Sequence, residues 1–141
     1  MADIMNISEY LALHANQRRK PRQEEHLLQR DCVRLFRMLY PQYRSRLFAV
    51  PNGGRRDATT AKKLKDEGVI AGVSDLIFLK KTPRYGALLI EIKTSKGIQS
   101  KEQDAWEQSV TQDGEYKYVI CRSLAQFKEI IEKYLNNDYD K

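Results

Sequence analysis

Cysteine and histidine, which stabilise very small proteins through disulfides or bound metal ions, are scarce in this sequence. Its 2 cysteines, Cys32 and Cys121, cannot build a disulfide framework, and neither lies in a CxxC or Cys/His cluster that would indicate zinc. We therefore expect two reduced thiols in a reducing compartment. The 2 histidines, His14 and His26, belong to no pattern of partners, so we assign them no chemistry.

Long apolar runs are also absent. No window approaches the roughly 18 apolar residues that a membrane span needs. The amino terminus carries an acidic residue instead of the basic region of a signal peptide, and its clustered apolar residues are few. The sequence has neither an internal repeat nor a low-complexity tract. We expect a soluble, intracellular chain.

The composition is ordinary for a globular protein, but the charge is unevenly distributed. The 141 residues are 41% hydrophobic and 31% charged, which favours one compact domain over a disordered chain. Residues 18–65 contain 14 Lys and Arg against 4 Asp and Glu, a surplus of 10, whereas the rest has 11 against 15, a deficit of 4. Such a basic cluster is typical of a protein that binds nucleic acid; the alternative is a surface that only maintains solubility.

Apolar spacing and cap residues predict alternating helices and strands. After a short helix at Ser8–His14, the predicted order is helix, strand, helix, strand, strand, helix, strand, helix. The two consecutive apolar strands favour a hairpin at the centre of a sheet. We therefore predict an α/β fold with a mixed sheet flanked by helices. The predicted helices are Glu24–Leu39, Ala58–Glu67, Ser100–Asp113 and one that follows the cap Ser123, and the predicted strands are Arg46–Val50, Leu76–Leu79, Ala87–Lys93 and Tyr116–Cys121.

Glu91 and Lys93 interrupt an otherwise apolar strand. They are two residues apart and therefore project from the same face of that strand. Burying a carboxylate without a partner is costly, so a buried Glu91 needs a cation, whether Lys93, an arginine or a metal ion. The alternative is that the strand ends near Ile90 and both side chains reach solvent.

Asp75 lies at the start of the neighbouring predicted strand. Hairpin pairing brings the start of this strand beside the end of the next one, so we expect Asp75 and Glu91 to converge. Two carboxylates with a lysine beside them suit a hard divalent cation such as Mg²⁺. Such an ion polarises a phosphodiester and lowers the pKa of a bound water, while the lysine either orients that water or stabilises the charge that grows on the phosphate. The pattern indicates metal-assisted phosphodiester hydrolysis.

The spacing of Asp75 and Glu91-Ile92-Lys93 resembles the signature of the PD-(D/E)XK nucleases. The segments VPNGGRR, GVIAGVSDLIFL, LLIEIKT and SKEQDAWEQSV are similar, in order and spacing, to the VRR-NUC (virus-type replication-repair nuclease) branch over about residues 23–127. The resemblance implies a restriction-endonuclease-like core of helix, three strands, helix and strand. It implies a nuclease domain at 23–135, preceded by a short helix and flexible basic segment at 1–22 and followed by a tail at 136–141.

The resemblance also implies roles for residues of the strand pair. Asp75 and Glu91 are the implied metal ligands, together with the backbone carbonyl of Ile92, and Lys93 is the implied catalytic lysine. The implied cofactor is Mg²⁺, for which Mn²⁺ is expected to substitute.

Two further residues match positions on the family's helices. Glu25 fits a glutamate on the first helix because it lies on that helix's apolar stripe, whereas Glu24 points off it. Gln103 matches a frequent glutamine, implying a catalytic role, but it is also the capping-box partner of Ser100, so catalysis and capping are equally supported. Ser74 stands where the family often has a proline, which would stiffen the approach to the aspartate.

Basic residues between the first two predicted strands are expected to contact DNA phosphates, which position DNA without reading its sequence. These residues are Arg55, Arg56, Lys62, Lys63 and Lys65. The alternative for the lysines is a solvated helix face.

The resemblance implies a Mg²⁺-dependent endonuclease that acts as a homodimer on branched DNA such as four-way (Holliday) junctions. Its expected location is the cytoplasm of a bacterium or of a phage-infected host. A DNA-binding module with a non-catalytic nuclease fold is disfavoured because Asp75, Glu91 and Lys93 are all present. A nuclease for different DNA structures also fits the pattern, whereas the small size and the lack of an added recognition segment stand against a restriction-type enzyme.

Overall fold

The structure is a computed structural model that describes residues 6–14, 21–51 and 57–140. Two compact units, each assembled from separate stretches of chain, make up the fold. The helical unit comprises the described residues of Met1–Arg44, Ile92–Gly97 and Cys121–Lys141. The sheet unit comprises those of Ser45–Glu91 and Ile98–Ile120. The domain boundaries inferred from the sequence stay a prediction.

The helices and strands follow one another in the predicted order. A 3-10 helix at Pro41–Arg46 was not predicted; it forms where Pro41 ends the preceding helix and the Tyr43 N–H donates to the Tyr40 carbonyl at 2.9 Å. Among the described residues, no helix is both long and apolar enough to cross a bilayer. The elements are α1 (Ile7–His14), α2 (Pro21–Leu39), β1 (Leu47–Ala49), α3 (Ala58–Asp66), β2 (Leu76–Phe78), β3 (Ala87–Ile92), α4 (Lys101–Thr111), β4 (Tyr116–Cys121) and α5 (Leu124–Leu135).

The helical unit is built on the packing of α2 against α5. Apolar residues recur at helical spacing on both helices and are buried, so each helix turns one apolar face inward. The Ser123 hydroxyl accepts the Gln126 N–H at 3.1 Å and caps α5, as predicted. The buried residues of the two helices include Cys32, Leu35 and Phe36 on α2 and Phe127, Ile130, Ile131 and Tyr134 on α5.

The four strands form one sheet in the order β1-β2-β3-β4. β1 pairs with β2 and β2 with β3, both antiparallel. Two backbone hydrogen bonds link the ends of β3 and β4 in the same direction, from Gly86 N to Glu115 O (2.7 Å) and from Lys93 N to Cys121 O (3.0 Å). α4 therefore serves as the crossover between parallel strands, and the sheet is mixed, as predicted.

The β2–β3 hairpin lies at the centre of the sheet, as its apolar sequence predicted. All six residues of β3 are buried. Leu76 and Phe78 of β2 and Leu88 and Ile90 of β3 have no exposed surface. This hairpin positions the charged residues that follow.

Gly72 brings the loop before β2 into direct contact with α4. Its φ of +88° lies in the left-handed region, and a Cβ there would overlap the Glu102 carbonyl and lie 2.7 Å from the Gln103 nitrogen. Gly68 also has a positive φ, +103°, but a Cβ there would meet no atom within 4 Å. Of these two glycines, Gly72 alone combines a left-handed backbone conformation with close packing.

We predict that Gly72→Ala destabilises the protein more than Gly68→Ala. Both substitutions put a Cβ on a left-handed residue, at a cost of about 1–2 kcal/mol, and only Gly72→Ala adds overpacking of about 1–3 kcal/mol. Urea denaturation of the two variants measures the difference. Equal free energies of unfolding would show that the loop does not need to touch α4.

Candidate active site

Asp75 and Glu91 lie opposite each other on the central hairpin. Leu76 pairs with Ile90, so the same register places Asp75, one residue before β2, across from Glu91. The Val50 N–H donates to the Asp75 carbonyl at 2.9 Å and fixes this backbone from the β1 side. Opposed residues of an antiparallel pair share a face, with Cβ atoms about 4.5–5.5 Å apart. The structure thus brings the two carboxylates together.

Glu91 is a buried carboxylate inside a strand. It is 1% exposed, and Lys93, just beyond the strand, is 9% exposed. β3 continues to Ile92, so the alternative in which the strand ends near Ile90 and both side chains reach solvent is wrong. Oε1 of Glu91 accepts a hydrogen bond from Gln103 Nε2 at 2.9 Å, and Oε2 is buried and makes no hydrogen bond to the described residues.

Gln103 caps α4 and binds Glu91 at the same time. Its N–H donates to the Ser100 hydroxyl at 3.1 Å, and its Oε1 accepts the Ser100 N–H at 2.8 Å, which completes the capping box. Its Nε2 is the donor to Glu91. A glutamate could cap equally well but has no N–H to donate, so the amide is required for both contacts. Capping is therefore confirmed, and the catalytic role stays a prediction.

Ser74 holds the turn that leads into β2. It has no exposed surface, and its hydroxyl donates to the Leu76 carbonyl at 3.2 Å. This side-chain bond fixes the backbone on both sides of Asp75.

Lys93 belongs, with Ile92, to the helical unit. The loop that follows is held by Arg122, whose Nη1 donates to the carbonyls of Thr94 (2.8 Å) and Gly97 (2.6 Å). Because the Lys93 N–H also donates to the Cys121 carbonyl, the backbone on both sides of the lysine is fixed to the end of β4. The ligand role of the Ile92 carbonyl stays a prediction.

Glu25 lies on α2, also in the helical unit, with a half-buried side chain. Among the described residues, no group of three or more His, Cys, Asp or Glu side chains is placed to hold a metal ion. The role of Glu25 as a third carboxylate ligand stays a prediction.

The basic residues singled out in the sequence are only partly described. Arg55 and Arg56 lie outside the described residues. Lys62, Lys63 and Lys65 are exposed on α3. Lys62 is 2.9 Å from Asp66, and this pair is too exposed to be strong. The structure leaves the lysines accessible to a partner.

The sequence analysis assigned no role to Tyr118. It is 8% exposed on β4, its ring centroid lies 6.2 Å from that of Trp106, and its hydroxyl accepts the Gln99 Nε2 hydrogen bond at 3.2 Å. Burial raises the pKa of Tyr118, the bond from Gln99 lowers it, and the negative charges of Glu91, Glu107 and Asp75 raise it further. A neutral phenol thus lies close to the two opposed carboxylates.

Comparison with solved structures finds a protein of similar fold. No family model and no curated protein sequence matches the chain. A solved structure named VRR_NUC domain protein is 22% identical and superimposes with a TM-score of 0.69, covering 79% of this chain and 88% of that chain. The chain has the fold of a VRR-NUC domain. The likeness confirms the α/β fold inferred from the sequence.

We predict that Gln103→Ala destabilises the protein more than Ser100→Ala. Loss of a helix cap costs about 1 kcal/mol, and Gln103→Ala also leaves the buried Glu91 Oε1 without its amide donor, which adds about 1–3 kcal/mol. Ser123→Ala, which removes the corresponding cap of α5, is the matched control. Denaturant unfolding of the three variants tests this; a Gln103→Ala effect no larger than the other two would argue against the Glu91 contact.

Proposed function

We propose that this protein is a Mg²⁺-dependent endodeoxyribonuclease. The observation that carries the proposal is the pairing of Asp75 with a fully buried Glu91 on the central hairpin of a VRR-NUC fold. A carboxylate in such a position costs free energy unless a cation compensates it. A fold that needed only stability would place an apolar residue at position 91.

The oxygen ligands that the hairpin offers fit a hard divalent cation. Mg²⁺ is usually held by one or two carboxylates and keeps several waters, which matches two opposed carboxylates with one oxygen already fixed by Gln103. Asp75, Glu91 and the Ile92 carbonyl would hold the ion. Bound there, it would supply positive charge to a phosphodiester oxygen and make a water more acidic.

The chain's own residues would perform the other parts of the reaction. Lys93 follows Glu91 by two residues and would stabilise the negative charge that develops on the phosphate. Gln103 would keep Glu91 in one orientation through its amide. The exposed lysines of α3, with Arg55 and Arg56, would hold the DNA backbone.

Branched DNA and a homodimer are the finer parts of the proposal. They rest on the resemblance of VPNGGRR, LLIEIKT and the neighbouring segments to stand-alone VRR-NUC proteins. A two-fold axis would relate two sites and suit two symmetric cuts in a four-way junction. A non-catalytic DNA-binding module is less favoured because acids at a phosphate-binding surface would repel the backbone in the absence of a metal.

We predict that Asp75→Asn, Glu91→Gln and Lys93→Met each lower the cutting rate on the order of 100-fold or more, since each removes a charge that the transition state needs. The measurement uses labelled four-way junction, duplex and single-stranded DNA with Mg²⁺, Mn²⁺ or EDTA. Asp104→Asn, an exposed acid in the first turn of α4, is the control and should cut normally.

Two results would contradict this proposal at different levels. Failure of the intact protein to cut any of the three substrates with Mg²⁺ would favour the DNA-binding module. Normal cutting by Asp75→Asn would retain a nuclease but rule out this site. The ratio of junction to duplex cutting measures selectivity for branched DNA.

We predict that the double variant Lys63→Ala, Lys65→Ala binds all DNA sequences more weakly and to the same extent. The slope of log affinity against log salt concentration should fall by about one for each phosphate that the variant no longer neutralises. Arg55→Ala with Arg56→Ala should act in the same way. Lys128→Ala is the control, because Lys128 lies on α5 and pairs with Glu132 at 2.6 Å. An unchanged salt slope would support the alternative of a solvated helix face.

A further inference from the structure

Tyr118 and Glu91 lie on the face of the sheet that α4 covers. The amide of Gln103 on α4 reaches Glu91, and the Trp106 ring, one helical turn later, packs beside Tyr118. Asp75 shares this face because it is opposite Glu91 in the β2–β3 register. One phenol and two carboxylates thus gather under one helix.

The hydroxyl of Tyr118 is oriented by a short relay of hydrogen bonds. Nε2 of Gln99 donates one hydrogen to Glu107 Oε1 at 2.8 Å and the other to the Tyr118 oxygen at 3.2 Å. Both N–H bonds of the amide are therefore used, and the phenol oxygen acts as an acceptor toward Gln99. The Tyr118 proton has to point away from Gln99.

The O–H of Tyr118 donates to no acceptor within the described part of the chain. Leaving a buried donor unused costs free energy, so such a group in a native protein calls for an acceptor or a functional role. The charges of Glu91 and Asp75 act on this phenol, and burial keeps it protonated at neutral pH. Carboxylates that ligate metals are commonly held by such outer hydrogen bonds.

We propose that Tyr118 is a positioning residue of the candidate site: with a divalent cation bound, its O–H would donate to a carboxylate of Asp75 or Glu91 and orient it toward the ion. Gln99, held by Glu107, fixes the phenol in turn. The proposal rests on the proposed function, since it needs a cation at Asp75 and Glu91, and it adds a positioning residue that lies outside the nuclease signature.

The test is Mn²⁺ titration of the whole protein without DNA, followed by calorimetry and by electron paramagnetic resonance of the free ion. Tyr118→Phe removes only the hydroxyl and should weaken Mn²⁺ binding by about tenfold or more, with an unchanged melting temperature for the metal-free protein. Tyr116→Phe is the matched control, because Tyr116 is 39% exposed on the same strand. It should bind Mn²⁺ like the wild type.

A second variant separates positioning from packing. Gln99→Ala leaves the Tyr118 ring in place and should also weaken Mn²⁺ binding, while adding little further loss in the Tyr118→Phe background, because the two residues act in series. Additive effects would overturn the relay. This variant also keeps the test decisive if Tyr118→Phe folds poorly.

The outcomes distinguish this inference from the proposed function. Wild-type binding of Mn²⁺ that Asp75→Asn abolishes and Tyr118→Phe leaves unchanged would overturn the role of Tyr118 alone. Absence of Mn²⁺ binding by the wild type would overturn both the metal site and the role of Tyr118.

Discussion

The buried carboxylate of Glu91 is the constraint around which the sheet unit is arranged. Its neighbours on β3 are apolar and buried, so the strand could not hold a charge without specific support. That support comes from the Gln103 amide on α4, whereas Asp75, opposite on the hairpin, adds a second carboxylate. An acid kept in this position at a cost to stability is typical of a functional site.

Several local features bring α4 to the place where Glu91 needs it. Gly72 lets the loop before β2 pass directly against the first turn of the helix. The capping box fixes the start of that turn and orients Gln103, while the buried hydroxyl of Ser74 holds the turn next to Asp75. The helix start, the loop and the strand register thus depend on one another. A change in any of them should alter the position of the Asp75 and Glu91 carboxylates.

The parts of the site that the sequence predicted are those set by local pairing. Hairpin partners are close along the chain, and the alternation of a strand fixes the face of each side chain, so the convergence of Asp75 and Glu91 could be inferred from spacing alone. Gln103 was expected either to cap or to act at the site. It does cap, and the same amide reaches Glu91, because an amide offers an acceptor and donors on one group.

The sequence by itself determined the order of helices and strands, the central hairpin, the caps of α4 and α5, and the pair of acids, because each follows from periodicity or from contacts between near neighbours. Only the tertiary structure decided that α4 covers the acid face, that Gly72 touches it, and that Gln99 binds the Tyr118 hydroxyl near Glu91. These contacts depend on a crossover that returns β4 parallel to β3. The spacing of residues along one strand carries no information about which helix closes over it.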